Sequence, residues 1–333
     1  MMGGLLGLQR LSVGWLIQAT TVAMAFRPRV VVDGFTLDRH IQAMLSLAKR
    51  GSESGAAVPD ITALRNALET VPELMGVDRT DTVLARDIPD GPVPMRLYTP
   101  ARLAAASAML VFFHGGGWIA GSIETYDRLC RHIAEIGGVR VLSVGYRLAP
   151  EHPFPAGFDD AAAAFSWALD HAASLGADPM KVAVGGDSAG GGLAVAVCVA
   201  RAAAGEAQAR SMWLMYPAVD IATEYPSLAS MDGYVFTRKA LDWIVSRYVP
   251  DGLDRAEARL SPGLAAIAGL PPVHIVVAGF DPLRDGGIAF ATRMGGRATL
   301  TVAEGLTHGF ADLAGVVPAA RTALDEAILA IGR

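Results

Sequence analysis

Six short apolar runs constrain this chain more than anything else in it. They are "MLVFFH" at 109–114, "VRVLSVGY" at 139–146, "KVAVGG" at 181–186, "SMWLMYP" at 211–217, "VHIVVAG" at 273–279 and "ATLTVAE" at 298–304. Alanine-rich stretches of helical character separate most of them. Each run has the length of a strand, and near-continuous apolarity is the pattern of strands buried on both faces. Strands alternating with helices predict an α/β fold, a mostly parallel central sheet with helices on both sides. Upstream, "VLARDIPDGPVPMRLYTP" at 83–100 alternates on either side of Asp90-Gly91. That pattern predicts an antiparallel hairpin with which the sheet begins.

Two regions depart from the theme. From Asp33 to about Leu74, "DRHIQAMLSLAKR" and "DITALRNALETVPELM" read as amphipathic helices split by the polar "GSESG", with no strand between Asp33 and Leu74. Between Asp220 and Pro262 the strands stop, and "GYVFTRKALDWIVSRYVP" reads as one amphipathic helix on a long excursion. An insertion of that length in a compact fold is usually a lid or cap. A chain of 333 residues then divides into an N-terminal extension at 1–30, a helical cap segment at 31–78, and an α/β domain at 79–333 with a cap insertion at about 220–262.

The extension holds "LSVGWLIQATTVAMA" at 11–25, uncharged and ending in Ala23-Met24-Ala25, like a secretory segment with its cleavage site. Its one preceding charge, Arg10, comes late, and Gln18, Thr20 and Thr21 dilute it. A segment packed on the cap, or a non-native extension, is the preferred reading. The expected location is cytoplasmic, with export through cleavage near Ala25 as the alternative. The run is shorter than the roughly 20 residues of a membrane span, so no stable span is expected.

Composition closes off other classes. With 52% hydrophobic and 18% charged residues the chain can bury a large core, and a net charge of −5 offers no basic face for nucleic acid. The two cysteines, Cys130 and Cys198, lie on helical stretches and read as buried free thiols, with neither a disulfide framework nor a metal cluster implied.

The candidate chemistry begins at Gly186-Asp187-Ser188-Ala189-Gly190, a G-x-S-x-G motif with an apolar strand before it and a helix-compatible run after it. A sharp strand-to-helix turn would lift the Ser188 hydroxyl above the carboxyl ends of the strands and place it at a helix N-terminus. Taken alone, a serine N-cap is an equally ordinary reading. It does not stand alone, because "HGGGW" at 114–118 directly follows the first parallel strand. Consecutive glycines can turn backbone N–H groups towards a substrate oxygen, which makes Gly116 and Gly117, with Ala189 after the serine, candidate oxyanion donors. Gly115 would shape the turn, Trp118 would wall a pocket, and His114 and Asp187 complete the supporting loop.

A base and its orienter must follow in the order Ser, Asp, His. Of seven histidines, only His308 lies in a loop after a late strand; His40, His132 and His171 fall on helical patterns, His152 among prolines and His274 inside a strand. Asp281 follows the strand "VHIVVAG", whereas Asp285 sits at the next helix start, where the helix dipole already accounts for it.

Together "HGGGW" at 114–118, "YRLAPEHPFPA" at 146–156, "GDSAGG" at 186–191, "DPLRD" at 281–285 and "HGF" at 308–310 resemble the α/β-hydrolase superfamily, in its hormone-sensitive-lipase-like esterases (bacterial lipolytic family IV, GDSAG branch). The likeness covers roughly residues 80 to 333. It implies a triad of Ser188, Asp281 and His308, an oxyanion hole at the glycine loop and Ala189, a helical cap, no cofactor and no metal. It further implies a small ester as substrate, with short to medium acyl chains, and homodimers as a common assembly. An amidase or deacetylase would use the same residues, and a small-molecule receptor on this fold is a third reading that retention of His308 opposes. Gly192 stands where such proteins often carry asparagine, and Tyr146, Arg147 and Glu151 are expected to brace the glycine turn.

Overall fold

The structure, a computed structural model, describes residues 2–51 and 60–331. The expected runs all become strands of one sheet: β5 (Ser107–Phe113), β6 (Arg140–Val144), β7 (Ala177–Asp187), β8 (Met212–Met215), β9 (Val273–Phe280) and β10 (Ala298–Thr307). They run parallel, and the antiparallel pair β3 (Val83–Ile88) and β4 (Met95–Pro100) completes the order β10-β9-β8-β7-β5-β6-β4-β3. Apolar continuity has the expected cause. Met109, Val111 and Phe113 of β5 join one buried cluster, while Leu110 and Phe112 join another on the opposite face. The first cluster is closed by α5 (Ala156–His171), α6 (Ser188–Ala204) and α9 (Arg284–Met294), which supply Phe165, Leu193 and Phe290. The second is closed by α4 (Asp127–Gly137) and α10 (Pro318–Ile328) with Ile133 and Leu324. Full burial of each such side chain stabilises the fold by about 1.5–3 kcal/mol.

The hairpin at 83–100 forms, but Asp90-Gly91 sits within a loop of residues 89–94, since Ile88 pairs with Met95. A two-residue turn occurs instead at Asp33-Gly34, both at positive φ (52° and 84°), between β1 (Val31–Val32) and β2 (Phe35–Thr36). That conformation twists with the flanking strands, and it puts β2 inside the 33–74 stretch where no strand was expected. The two helices of that stretch are α2 (Arg39–Gly51) and α3 (Ile61–Met75), the latter capped by Asp60, which accepts from Ala63 N at 2.7 Å. Of the "GSESG" segment, residues 52–55 lie outside the described residues.

The excursion holds two helices rather than one, α7 (Pro226–Ser230) and α8 (Arg238–Tyr248). Residues 233–237 stay outside α8 because Thr237 caps it, its hydroxyl accepting from Ala240 N at 3.1 Å. Pro250 ends it, since the residue before a proline is driven from helical to extended backbone. Both cysteines are buried in helices as free thiols.

Helix α1 (Met2–Ala23) packs on α2 and α3. Arg10 docks it there, donating to the carbonyls of Glu73 and Gly76 and to Asp78. Among the described residues no helix is long and apolar enough to cross a membrane.

Candidate active site

The site forms where the carboxyl ends of β5, β7, β9 and β10 meet. Ser188 follows the last residue of β7 and opens α6 with φ of 51°, a conformation that costs a non-glycine residue about 1–3 kcal/mol. The turn is this sharp because Gly186 and Gly190 lie against the end of β5, where a Cβ on either would run into the Phe113 carbonyl oxygen. Strain at Ser188 aims its Oγ away from the sheet and towards His308, whose Nε2 lies 2.8 Å away.

His308 directly follows β10, and its Nδ1 lies 2.8 Å from Asp281 Oδ2. Asp281 follows β9 and is completely buried. Its other oxygen accepts from Leu283 N at 2.8 Å, so the backbone fixes which oxygen faces the ring. A carboxylate at Nδ1 makes that nitrogen the donor and leaves Nε2 to accept the Ser188 proton. Burial is the largest influence on the His308 imidazolium and opposes it, but Asp281, with Asp187 and Asp312 farther off, outweighs burial and raises its pKa above the ordinary value.

The glycine loop faces this row from β5. Gly116 and Gly117 have φ of 107° and 64°, the left-handed region that their lack of a Cβ permits. Among the described residues neither amide donates within the fold. Gly115 differs. Its N–H donates to Asp187 Oδ1 at 2.8 Å and to Tyr126 Oη at 3.1 Å, and Tyr126 in turn donates to Asp187 Oδ2 at 3.1 Å. Asp187 thus ties the serine turn to the glycine loop, although burial pushes its own pKa up to about 6.

His114 stands behind the loop. Burial lowers its pKa to about 4, so the ring is neutral and Nδ1–H donates to Gly115 O at 2.8 Å. It stacks on Tyr146 at 4.3 Å, whose hydroxyl donates to His114 O at 2.7 Å. Of the expected bracing residues, Glu151 pairs with Arg65 of α3, and Arg147 pairs with Asp160 of α5. Trp118 stacks on Tyr248 of α8 at 4.6 Å. Gly192 packs so tightly under the Ala218 carbonyl that this backbone leaves no room for a larger residue.

The structure brings Ser188, Asp281, His308, Gly116, Gly117 and Ala189 together, and Asp285 lies elsewhere, accepting from Arg284 and from Ser227 N of α7. Arg284 also reaches Asp33, which accepts from Ser230 as well, so one arginine ties the β1–β2 turn and α7 to α9. Sequence reasoning missed Tyr126 and Asp312. Burial pushes the Asp312 carboxyl, close to His308 and Asp187, to about 7. Neither residue lies in a motif; only the fold brings them to the site.

Above Ser188 lies a cavity of about 470 Å³. Its floor is Ser188, His308, Gly116, Gly117 and Ala189, and its walls are mainly apolar: Ile41 and Met44 of α2, Leu64 and Leu68 of α3, Leu241 and Ile244 of α8. Apolar walls around a few convergent polar groups are the usual form of a small-molecule site.

Fold and site define a class, and the likeness to known proteins agrees with it. The family model described as alpha/beta hydrolase fold matches residues 110–312, and the chain belongs to that family. It is 43% identical to the carboxylic ester hydrolase LipN of Mycobacterium tuberculosis, over 85% of this chain and 79% of that one. It is 34% identical to the ethyl acetate hydrolase of Pseudomonas putida, over 85% and 94%. Among solved structures, an ester hydrolase from the metagenome of Lake Arreo, complexed with a bipyridine phosphonate derivative, matches with a TM-score of 0.83 at 38% identity, over 89% of this chain and 98% of that one.

Proposed function

We propose that the protein is a serine carboxylesterase that hydrolyses short- to medium-chain acyl esters through an acyl-enzyme intermediate. Carboxylic ester hydrolysis follows from relatives of that activity at 34–43% identity over most of the chain. The observation that carries the mechanism is the row Ser188 Oγ, His308 and Asp281, joined at 2.8 and 2.8 Å on the floor of an apolar cavity.

In this reading His308 Nε2 takes the Ser188 proton as Oγ attacks the ester carbonyl. Asp281 holds the ring in the productive tautomer and stabilises the imidazolium that forms. The amides of Gly116, Gly117 and Ala189 donate to the developing oxyanion, each lowering the barrier by on the order of 3 kcal/mol. The imidazolium protonates the leaving alcohol, and water attacks the acyl-enzyme by the same steps in reverse. His114, Gly115, Trp118 and Asp187 hold the loop that carries the oxyanion donors.

Residues 31–78 and about 220–262 form a cap in the same proposal, supported by the walls that α2, α3 and α8 contribute to the cavity. The N-terminal residues 1–30 stay attached to it, supported by the bonds of Arg10 to α3 and its end. A cytoplasmic location and a homodimer remain parts of this reading, tested by mass spectrometry of the native N-terminus in cell fractions and by sedimentation velocity.

The deciding experiment is hydrolysis of p-nitrophenyl esters from acetate to palmitate by wild type and Ser188→Ala. Turnover should peak at short chains and fall by roughly 10⁴-fold or more in the variant. Full activity of the variant would remove Ser188 from the mechanism. Faster cleavage of an anilide than of its matched ester would move the protein to the amidases.

A further inference from the structure

Helix α1 carries large apolar side chains on its outward face as well as its inward one. Leu11, Trp15 and Val22 lie within about 40° of arc on one face, with the exposed Gln18 at its edge, and are 73%, 73% and 64% exposed; Leu16, about 100° round the helix from Trp15, is 48% exposed. The face turned towards the protein mixes Arg10, Thr20 and Thr21 with the part-buried Leu6 and Val13 and the buried Ile17. Phe26, in the turn after the helix, is fully exposed. A helix with one apolar stripe ordinarily buries it, so an outward stripe of this kind marks a second apolar environment.

Charge identifies that environment. The first 32 residues contain Arg10, Arg27 and Arg29 and no carboxylate, so a chain of net charge −5 is −8 without them. Arg27 and Arg29 are exposed next to Phe26. An apolar stripe with a tryptophan, followed at its C-terminal end by the exposed cations Arg27 and Arg29 and set on an otherwise anionic body, suits a surface that is apolar beneath and negatively charged at its headgroups. A second copy of the chain suits it less. Two such faces packed together bring the exposed Arg27 and Arg29 of each copy side by side, and one helical stripe falls short of the roughly 800 Å² per partner of a stable interface.

We propose that α1 is an interfacial helix that docks the protein on a lipid surface bearing anionic headgroups. The stripe from Leu11 to Val22 runs about 16 Å along the helix, lying in the plane of the interface rather than crossing it. The helix rests on α2 and α3, whose other residues wall the cavity, so docking brings the cavity wall close to the lipid. Docking stands independently of the esterase reading, because it is read by binding.

The test is co-sedimentation of the full chain with vesicles of phosphatidylglycerol and phosphatidylcholine, and with phosphatidylcholine alone. Wild type should pellet with the mixed vesicles and at least tenfold less with the neutral ones. Leu11→Ser/Trp15→Ser/Val22→Ser should lose at least tenfold in binding, and Arg27→Glu severalfold. Both variants should hydrolyse soluble p-nitrophenyl acetate like wild type, or, if the esterase reading itself has failed, keep the wild-type circular dichroism spectrum. Trp15 emission should shift to the blue on mixed vesicles, a shift absent in Trp15→Phe. Wild type left in the supernatant with both vesicles would overturn the proposal, as would a folded triple variant that binds normally. Equal binding to neutral vesicles would overturn the headgroup assignment. A wild-type dimer that the triple variant converts to monomer, without vesicle binding, would give the stripe to a second copy.

Discussion

The floor of the cavity and its roof are held by different means. On the floor each reacting side chain sits at the end of a strand, and backbone bonds set its direction: Asp281 is held by Leu283 N, and Ser188 by the forced turn between Phe113 and Gly190. The roof is a layer of helices joined to the sheet domain at a few polar points, with Arg65 reaching Glu151 and the Ile119 carbonyl, and Arg284 reaching Asp33. Precision on the floor serves a transition state that tolerates little misplacement, while apolar contacts in the roof are non-directional and tolerate change. The two regions should therefore answer to different kinetic parameters, the floor to kcat and the roof to the preference among acyl chains.

Breaking that contrast starts on the floor. Asp281→Asn should lower kcat by about 10⁴-fold with little effect on KM, because an amide at Nδ1 favours the wrong tautomer. Steady-state kinetics beside circular dichroism checks this, and a drop of only a few fold would show that the backbone alone orients His308. Asp187→Ala should come next, at about 10²-fold in kcat. It removes the nearer of Gly115 N's two acceptors and the acceptor of the Tyr126 hydroxyl, and loosens the loop that carries the proposed oxyanion donors. A rise in KM without loss of kcat would mean that the loop holds its shape unaided.

The pH profile sharpens the same point. The proposed mechanism needs neutral His308, and its raised pKa should put the acid limb of kcat/KM above the ordinary 6.5. Asp312→Asn removes one of the carboxylates that raise it, so the limb should move down. Stability carries the same sign: a proton held more tightly in the folded state contributes fully below the ordinary value and is lost as pH rises through the raised one. A limb that Asp312→Asn leaves in place would show that Asp281 alone sets the imidazole.

Legibility in the sequence follows the same division. The serine turn and the glycine loop could be read because their backbones admit few residue types, and Asp281 and His308 because strand ends and chain order left few candidates. Tyr126 and Asp312 could not, since a tyrosine before α4 and an aspartate after "HGF" have no local requirement that betrays them. Nor could the turn at Asp33-Gly34, because the strands it joins are only two residues long and show no alternation. In the roof, the period of α8 runs on through residues 233–237, and only Thr237 as a cap marks the true start.

The smallest expected effect lies in the roof and tests the contrast most sharply. Leu68 of α3 and Ile244 of α8 both line the cavity, and Ile244 rests directly on Gly117. Each methylene of an acyl chain buried against such a wall contributes about 0.8 kcal/mol, a few fold in kcat/KM. Leu68→Ala should therefore shift the optimum towards longer chains by a few fold and leave kcat on p-nitrophenyl acetate within about twofold. Ile244→Ala should shift the optimum likewise but also cost acetate turnover severalfold, because the contact over Gly117 is lost. If Leu68→Ala lowered acetate turnover as much as Ile244→Ala does, roof and floor would form one mechanical unit. The attachment of α3 through Arg65 to the Ile119 carbonyl, at the end of the glycine loop, would then be its route.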